Sequence, residues 1–346
     1  MNMKKIKIGI VGGTGLLAGY LIHSLQKHPY IDLSYIDSLH DPDEPVSKYH
    51  KNLNENLASK KLDQYSPEYI KKNLELVFIA KPHSQAMKFV KDLYDGELKI
   101  IDLSGDFRIK DVKEYEKWYK TVHIIPELIE KSVYGLAEIY PDKIKNAKLI
   151  ANPGCYPTGI LLALIPLIEN QLIQLNTISI NSYSGVSGVG KSPVPGKNMF
   201  LDAFNNIIPY KINVHQHIPE IEEQLALSNH NNKVVFNFIP NVASMEDGIL
   251  STIFVQLNAE INLTKVLDVY KRKYNKSQFV KLITDRIPEI KDVVDTNYCL
   301  IHPVVNEKTN TLMILSLIDN RIKGGSGQAI QNMNLMLGFP EETGLI

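Results

Sequence analysis

Cys155 is the residue with the clearest chemical potential in this chain of 346 residues. It stands in Ala151-Asn152-Pro153-Gly154-Cys155-Tyr156-Pro157-Thr158, where a Pro-Gly turn runs into a long apolar stretch, Tyr156 to Glu169, read as a helix. A thiol at a helix start faces the positive end of the helix dipole. That end stabilises the thiolate, the form of cysteine that attacks carbonyl carbon. The bland alternative is a buried structural cysteine, a reading that suits Cys299 in Asn297-Tyr298-Cys299-Leu300-Ile301. A thiolate nucleophile needs a proton-transfer partner. His215-Gln216-His217-Ile218-Pro219-Glu220-Ile221 offers two histidines at a spacing that points them in different directions in any regular element. One is expected to serve chemistry and the other structure. His217, at a loop–helix junction marked by Pro219-Glu220, is the first choice, and His215 the second. His-x-His spacing also occurs in metal sites, but no third ligand is evident and Cys155 is needed elsewhere, so no metal is expected.

A second motif lies near the N-terminus. Gly12-Gly13-Thr14-Gly15-Leu16-Leu17-Ala18 follows the β-branched run Ile6 to Val11 and precedes a stretch with helical apolar spacing, Leu17 to Gln26. Strand, glycine turn and helix is the context in which backbone N–H groups cradle a pyrophosphate. A plain βα turn is the alternative. Asp37 and Ser38 end the next strand, where an adenosine ribose would lie. The acid favours a free 2′-hydroxyl, whereas the serine can donate to a 2′-phosphate, so NAD and NADP both stay open. Asp102-Leu103-Ser104-Gly105-Asp106-Phe107-Arg108 also follows a strand; Arg108 can grip a phosphate or carboxylate in a bidentate manner, or form a surface ion pair with Asp106. Gly185-Val186-Ser187-Gly188-Val189-Gly190-Lys191-Ser192 satisfies the P-loop pattern, but Pro193 and Pro195 forbid the helix a P-loop requires. It is read instead as an anion-binding or lid loop.

The elements that must position these residues fall into two groups. Ile6 to Val11, Leu33 to Asp37, Leu74 to Ala80 and Lys99 to Leu103 read as buried strands, with helices at Leu17 to Gln26 and Pro82 to Leu93. This alternation predicts an α/β, Rossmann-type, doubly wound parallel sheet. Asp41 to Ser66 is polar and reads as solvated helix or loop. Beyond residue 152 the patterning changes. Thr177 to Tyr183, Lys233 to Ile239, Ile249 to Leu257 and Thr311 to Asp319 read as strands of an α+β domain with a mainly antiparallel sheet. Gly324 to Leu337 reads as a glycine turn and a strongly amphipathic helix. The expected domains are 1–152, rejoined by 324–346, and 153–323.

Hydrophobic residues make up 44% and charged residues 22% of the chain, an ordinary globular balance. Lys+Arg and Asp+Glu both number 38, and this neutrality speaks against nucleic acid or a membrane surface as partner. No apolar run is long enough to cross a membrane, the Lys-rich start lacks a signal-peptide pattern, and the two cysteines form no disulfide framework, so a cytoplasmic protein is expected.

Taken together these residues resemble the N-acetyl-gamma-glutamyl-phosphate reductases, relatives of aspartate-semialdehyde dehydrogenase. The resemblance rests on the glycine turn, Asp102 to Arg108, Tyr115 to Tyr119 with His123, Val133 to Leu136, Asn152 to Thr158, Ser184 to Lys191, His215 to Ile221 and Lys323 to Asn334. It implies NADPH-dependent reduction of N-acetyl-gamma-glutamyl phosphate to the 5-semialdehyde through a thioester on Cys155, in arginine biosynthesis. It also implies a homo-oligomer, usually a tetramer, and a C-terminal helix packed on the cofactor domain. The expected substrate contacts are Arg108, Ser184, Lys191 and Glu220. The expected cofactor contacts are Gly12, Gly13, Thr14, Gly15, Leu16, Ser38, Pro82, Ser187, Gly188, Asn320 and Gln328. Three positions depart from the family pattern: Gln216 replaces an arginine between the histidines, Asn241 a histidine, and Glu246-Asp247 precede Gly248 where Arg-Gly is usual. Loss of positive groups there keeps N-succinyl and aminoadipyl substrates in view beside N-acetyl. An aspartyl-phosphate substrate and a non-catalytic nucleotide-binding regulator are the remaining rivals.

Overall fold

A computed structural model describes residues 5–189, 199–259 and 261–346. The chain divides into two compact units, Met1–Pro153 with Gly325–Ile346, and Gly154–Gly324.

The first unit is built on β1 (Ile6–Val11), β2 (Ile31–Ile36), β3 (Leu76–Ile79), β4 (Lys99–Asp102), β5 (Val133–Tyr134) and β6 (Leu149–Ala151). They form one sheet in the order β2-β1-β3-β4-β6-β5, and every pairing is parallel. The period of two along each strand sends alternate residues to opposite faces. Leu76, Phe78, Ile101 and Ile150 enter an apolar cluster with Leu21 and Met333, while Val77, Ile79, Ile100 and Leu149 enter another with Met87 and Val90. Helix Leu16–Leu25 and helix Gly327–Leu337 thus share one face of the sheet, and helix Ala86–Leu93 covers the other. This is the doubly wound arrangement that the β-branched runs imply.

Two readings of this unit are corrected. Helix Gly327–Leu337 is buried nearly all round rather than amphipathic. Its polar side chains are matched instead of solvated: Gln328 and Asn332 donate to the Gly135 carbonyl at 3.0 and 2.8 Å, and Gln331 donates to Glu138 at 2.9 Å. Each bond avoids a penalty of about 1–3 kcal/mol for a buried polar group left unmade. The segment after β2 is not simply solvated either, since Val46, Leu57 and Leu62 enter the core and Asn54 caps a short helix, Glu55–Ser59.

The second unit holds β7 (Ser179–Ser184), β8 (Ile207–Pro209), β9 (Asn237–Ala243), β10 (Ile249–Gln256), β11 (Val280–Leu282), β12 (Cys299–Asn306) and β13 (Thr311–Ile318). Their order is β11-β12-β13-β10-β7-β9-β8. The β12–β13, β13–β10, β10–β7 and β9–β8 pairs are antiparallel, and the two others are parallel. The strand expected over Lys233 to Ile239 begins only at Asn237. Helix Cys155–Glu169 is buried from Tyr156 to Ile168, which is why its sequence is apolar on every side. Ser316 Oγ on β13 donates to the Gly159 carbonyl at 2.8 Å, and Tyr270 and Tyr274 of helix Leu263–Tyr274 donate to the Ala163 and Leu162 carbonyls, both at 2.6 Å. The helix that carries Cys155 is therefore fastened along its length.

Candidate active site

Cys155 is the first residue of its 15-residue helix. The N-cap is Gly154, extended at φ −70° and ψ 159°, with no side-chain cap and no acid in the first turn. The helix end therefore presents its positive pole to the sulfur with no competing carboxylate from its own first turn. Cys155 is half-buried. Two glycines shape its surroundings. A Cβ on Gly154 would lie 2.5 Å from His217 Nε2, and one on Gly324 would lie 2.9 Å from Cys155 Cβ. The imidazole and the thiol-bearing turn meet only because position 154 has no side chain. The fully buried Glu220 accepts from Gly154 N at 2.8 Å, so helix His217–Leu227 holds the turn through both its first residue and its first acid.

The two histidines do not point apart as their spacing predicts: their ring centroids lie 4.7 Å from each other, tilted by 59°. His215 Nδ1 accepts from His217 N at 3.1 Å, and its Nε2 lies 3.5 Å from the Tyr210 hydroxyl. Its ring stands edge-on to Tyr156, with centroids 5.4 Å apart. His215 thereby shapes the junction, while His217 turns its Nε2 to the Cys155 turn. Burial pushes the hydroxyl pKa of Tyr156 well above its ordinary value and raises that of Tyr210 too, so both remain neutral donors.

Three loops of the second unit meet at the ends of β7, β10 and β13. Ser184 Oγ donates to the Gly185 carbonyl at 3.1 Å, and a Cβ on Gly188 would lie 2.6 Å from that hydroxyl. Ser187 donates to Asp247 Oδ1 at 2.6 Å and accepts from Asn320 Nδ2 at 2.9 Å; Asn320 Oδ1 accepts from Gly248 N at 2.7 Å. The Arg321 guanidinium donates to Asp247 and lies 3.6 Å from Glu246. Ser187, Gly188 and Asn320, expected as cofactor contacts, lie together here, and the Asp247–Arg321 pair went unseen in the sequence because the partners are 74 positions apart and no local pattern joins them. Lys191 lies outside the described residues. Gln216 likewise has a cation at hand, since Lys211 Nζ donates to its Oε1 at 2.8 Å.

In the first unit the glycine turn is sterically obligatory. Gly12 has φ +95°, and a Cβ there would lie 2.6 Å from the Ala80 carbonyl oxygen; on Gly13 it would lie 2.2 Å from Ile36 Cγ2. Gly15 N-caps helix Leu16–Leu25 with no side-chain cap and no acid in the first turn, and Thr14 and Leu16 flank it. A bare helix end behind a turn pressed against β3 fits the pyrophosphate of a dinucleotide. Pro82 follows β3 and opens the turn before helix Ala86–Leu93, its carbonyl accepting from Ala86 N at 3.2 Å. Ser38 is buried, and its Oγ accepts from Asp41 N at 3.1 Å. Gln328 is also buried, on the helix that packs against this sheet.

Arg108 is buried, with Nε donating to the Asn152 carbonyl at 2.7 Å and Nη2 to that of Leu103 at 2.9 Å. Part of its fork thus holds the main chain shortly before Cys155. Asn152 is held again by Asn332 Nδ2 at 3.0 Å, and itself donates to the Gly325 carbonyl at 3.0 Å. The two acids of the same segment, Asp102 and Asp106, are held in turn. Asp106 accepts from Ser84 N, Met87 N and the Tyr115 hydroxyl at 2.7, 3.0 and 2.8 Å. Asp102 accepts from Ser104 N and Oγ at 3.0 and 2.7 Å; burial, with Asp106 nearby, pushes its pKa up to about 7.

Comparison with known proteins agrees with both halves. Residues 7–147 match the family model described as semialdehyde dehydrogenase, NAD binding domain, and residues 155–320 match the one described as semialdehyde dehydrogenase, dimerisation domain. Over 341 residues, 98% of each chain, the protein is 43% identical to an N-acetyl-gamma-glutamyl-phosphate reductase of Halothermothrix orenii. The chain belongs to the N-acetyl-gamma-glutamyl-phosphate reductase family. A reductase of that name from Campylobacter jejuni (strain RM1221) is 38% identical over 344 residues, 99% of this chain and 98% of that one. Among solved structures, aspartate semialdehyde dehydrogenase II of Vibrio cholerae, complexed with ASA, has the same fold at a TM-score of 0.73 and 17% identity, over 97% of this chain and 99% of that one. Aspartate semialdehyde dehydrogenase with NADP from Candida albicans aligns at 0.71 and 18% identity, over 96% and 99%. Gln216 and Asp247 each sit beside a cation, Lys211 five residues earlier in the same loop and Arg321 from the loop after β13.

Proposed function

We propose that this protein reduces N-acetyl-gamma-glutamyl phosphate to N-acetylglutamate 5-semialdehyde with NADPH, as a step of arginine biosynthesis. The observation that carries the reading is Cys155 at a bare helix N-terminus with the His217 imidazole against the preceding glycine. The Cys155 thiolate attacks the acyl carbon, the carbon–oxygen bond to phosphate breaks, and a thioester remains on the sulfur. Bound NADPH supplies the hydride that reduces this thioester. His217 Nε2 gives a proton to the oxyanion formed, and the same atom accepts it as the carbon–sulfur bond breaks and the aldehyde leaves. Glu220 keeps the turn in place, and Arg108, Ser184 and Lys191 are proposed to hold the substrate's anionic groups. Gly12 to Leu16, Ser38, Pro82, Ser187, Gly188, Asn320 and Gln328 are proposed for the dinucleotide.

The test is the reverse reaction: purified protein, N-acetylglutamate semialdehyde, phosphate and NADP, followed by absorbance of the reduced coenzyme. A signal that needs phosphate and vanishes in Cys155→Ser is expected. Turnover with the N-succinyl or aminoadipyl analogue alone would move the substrate, and retained activity in Cys155→Ser would remove the covalent route.

We further propose a homo-oligomer joined through the second unit's sheet. One face of that sheet carries the helices; on the other, Phe254 of β10, Ile239 of β9 and Val304 of β12 are 41%, 39% and 39% exposed, with one strand between each pair in the order β12-β13-β10-β7-β9. Such a patch marks an interface. Sedimentation equilibrium checks it, and a monomer at micromolar concentration would refute it. Among the described residues no helix is long and apolar enough to cross a membrane. We place the protein in the cytoplasm, where a thiol nucleophile stays reduced; recovery in a membrane or extracellular fraction would oppose this.

A further inference from the structure

His50 lies in the segment after β2, and the function proposed above gives it no part. Tyr49 and Leu53, close to it in the chain, pack against the apolar cluster of the first unit, and its own N–H donates to the Val46 carbonyl at 3.1 Å. The half-buried imidazole reaches back to the glycine turn, where its Nε2 donates to the Gly13 carbonyl at 2.6 Å. A carbonyl oxygen only accepts, so Nε2 carries the proton. The ring rests on helix Leu16–Leu25 at Gly19, where a Cβ would lie 2.7 Å from Nδ1. A missing side chain on the helix and a main-chain oxygen within reach thus fix one ring nitrogen on one peptide of the turn.

Successive peptides of that turn are held from different sides. Gly12 N donates to Asp37 Oδ1 at 2.6 Å and Gly13 N to the Asp37 carbonyl at 2.8 Å, so the first two amides are spent, on buried residues. The next peptide is held by its oxygen. A trans peptide points its C=O and its N–H in opposite directions. With the Gly13 carbonyl on His50, the Thr14 N–H is directed away from the imidazole, where the turn becomes partly exposed. Glycine at 13 lets this peptide rotate at little cost, so its direction depends on what holds it. Rotated, it would offer a phosphate the negative end of its dipole in place of an N–H. We propose that His50 is a positioning residue for the coenzyme: by holding the Gly13 carbonyl it aims the Thr14 amide at the pyrophosphate, while Gly12 and Gly13 contribute the shape of the turn. The inference rests on the first unit being the dinucleotide domain.

The experiment is equilibrium binding of NADPH to the intact protein, read by nicotinamide fluorescence, beside steady-state kinetics and thermal melts. His50→Leu removes the donor and should raise the NADPH dissociation constant at least about fivefold, the scale of one hydrogen bond. The KM for NADPH should rise with it while kcat at saturating coenzyme holds, because His50 touches no reacting atom. His50→Gln keeps an N–H at similar reach and should bring binding back to within about twofold of the unmodified protein. Gly19→Ala keeps His50 but sets a methyl group against its ring. Alanine favours a helix over glycine, so the melting temperature should not fall while NADPH binding weakens as in His50→Leu. The same variant carries the test if His50→Leu fails to fold. Weakening below about fivefold in either folded variant, or a glutamine variant closer to the leucine one than to the unmodified protein, overturns the proposal and leaves the dinucleotide reading standing. Failure of the unmodified protein to bind NADPH overturns both.

Discussion

At the scale of single residues, the decisive feature is a hydrogen atom where a side chain would be. Gly154 lets His217 Nε2 come to the Cys155 turn, and Glu220 locks that turn through Gly154 N. His215, two positions away, uses Nδ1 to hold His217 N. The two imidazoles should therefore respond differently to substitution. His217→Asn is expected to lower kcat at least about 10²-fold, the usual scale of general acid–base catalysis, with little effect on melting temperature. His215→Asn should act more on stability than on the chemical step. Steady-state kinetics with thermal melts separates them, and a larger loss of kcat for His215→Asn would reverse the roles. The types of these residues and the His-x-His spacing were legible in the sequence. Which ring faces the turn was not, because it depends on a contact between residues 154 and 217.

At the scale of elements, the loops after β7 and β13 and the loop before β10 are fastened by the buried Asp247–Arg321 pair, with Ser187 and Asn320 completing the network. Gly324, three residues after Arg321, lies against Cys155. Removing one member of a buried ion pair strands the other charge, typically at about 3–5 kcal/mol, whereas removing both with apolar groups is near neutral. Arg321→Leu alone should thus destabilise strongly, and Asp247→Leu with Arg321→Leu should recover most of the loss. Denaturant melts of the single and double variants check this; additive losses would show that the pair is not coupled. The sequence showed a glycine-rich loop here and an unexpected acid at 247. It did not show the arginine that answers the acid, since ion pairing across β10 and β13 leaves no periodic trace.

At the scale of the whole molecule, two buried acids tie stability to pH. Burial raises Asp37 to about 6 and Asp102 to about 7. A raised carboxyl pKa means the folded state holds its proton longer than the unfolded chain, so the associated stability is present below about pH 4 and is lost as pH climbs through about 6 to 7. Asp102→Asn should therefore gain at least about 1 kcal/mol relative to the unmodified protein between pH 5 and pH 8. Melts across that range test it, and parallel curves for the two proteins would contradict it. Much of the molecule was written in the sequence. β-branched runs that must be buried on both faces dictate the parallel sheet, a glycine turn between strand and helix dictates the anion cradle, and the Pro-Gly-Cys junction dictates a thiol at a helix start. These are local consequences of sterics and of main-chain dipoles. Only the tertiary structure decided the rest. It showed that helix Gly327–Leu337 is enclosed with its amides matched, that Arg108 spends donors on main-chain carbonyls, and that Asp37 turns one carboxylate oxygen to the glycine turn while burying the other. Each depends on which distant groups share a buried space, and hydrogen-bond satisfaction there is settled by three-dimensional neighbours rather than by sequence spacing.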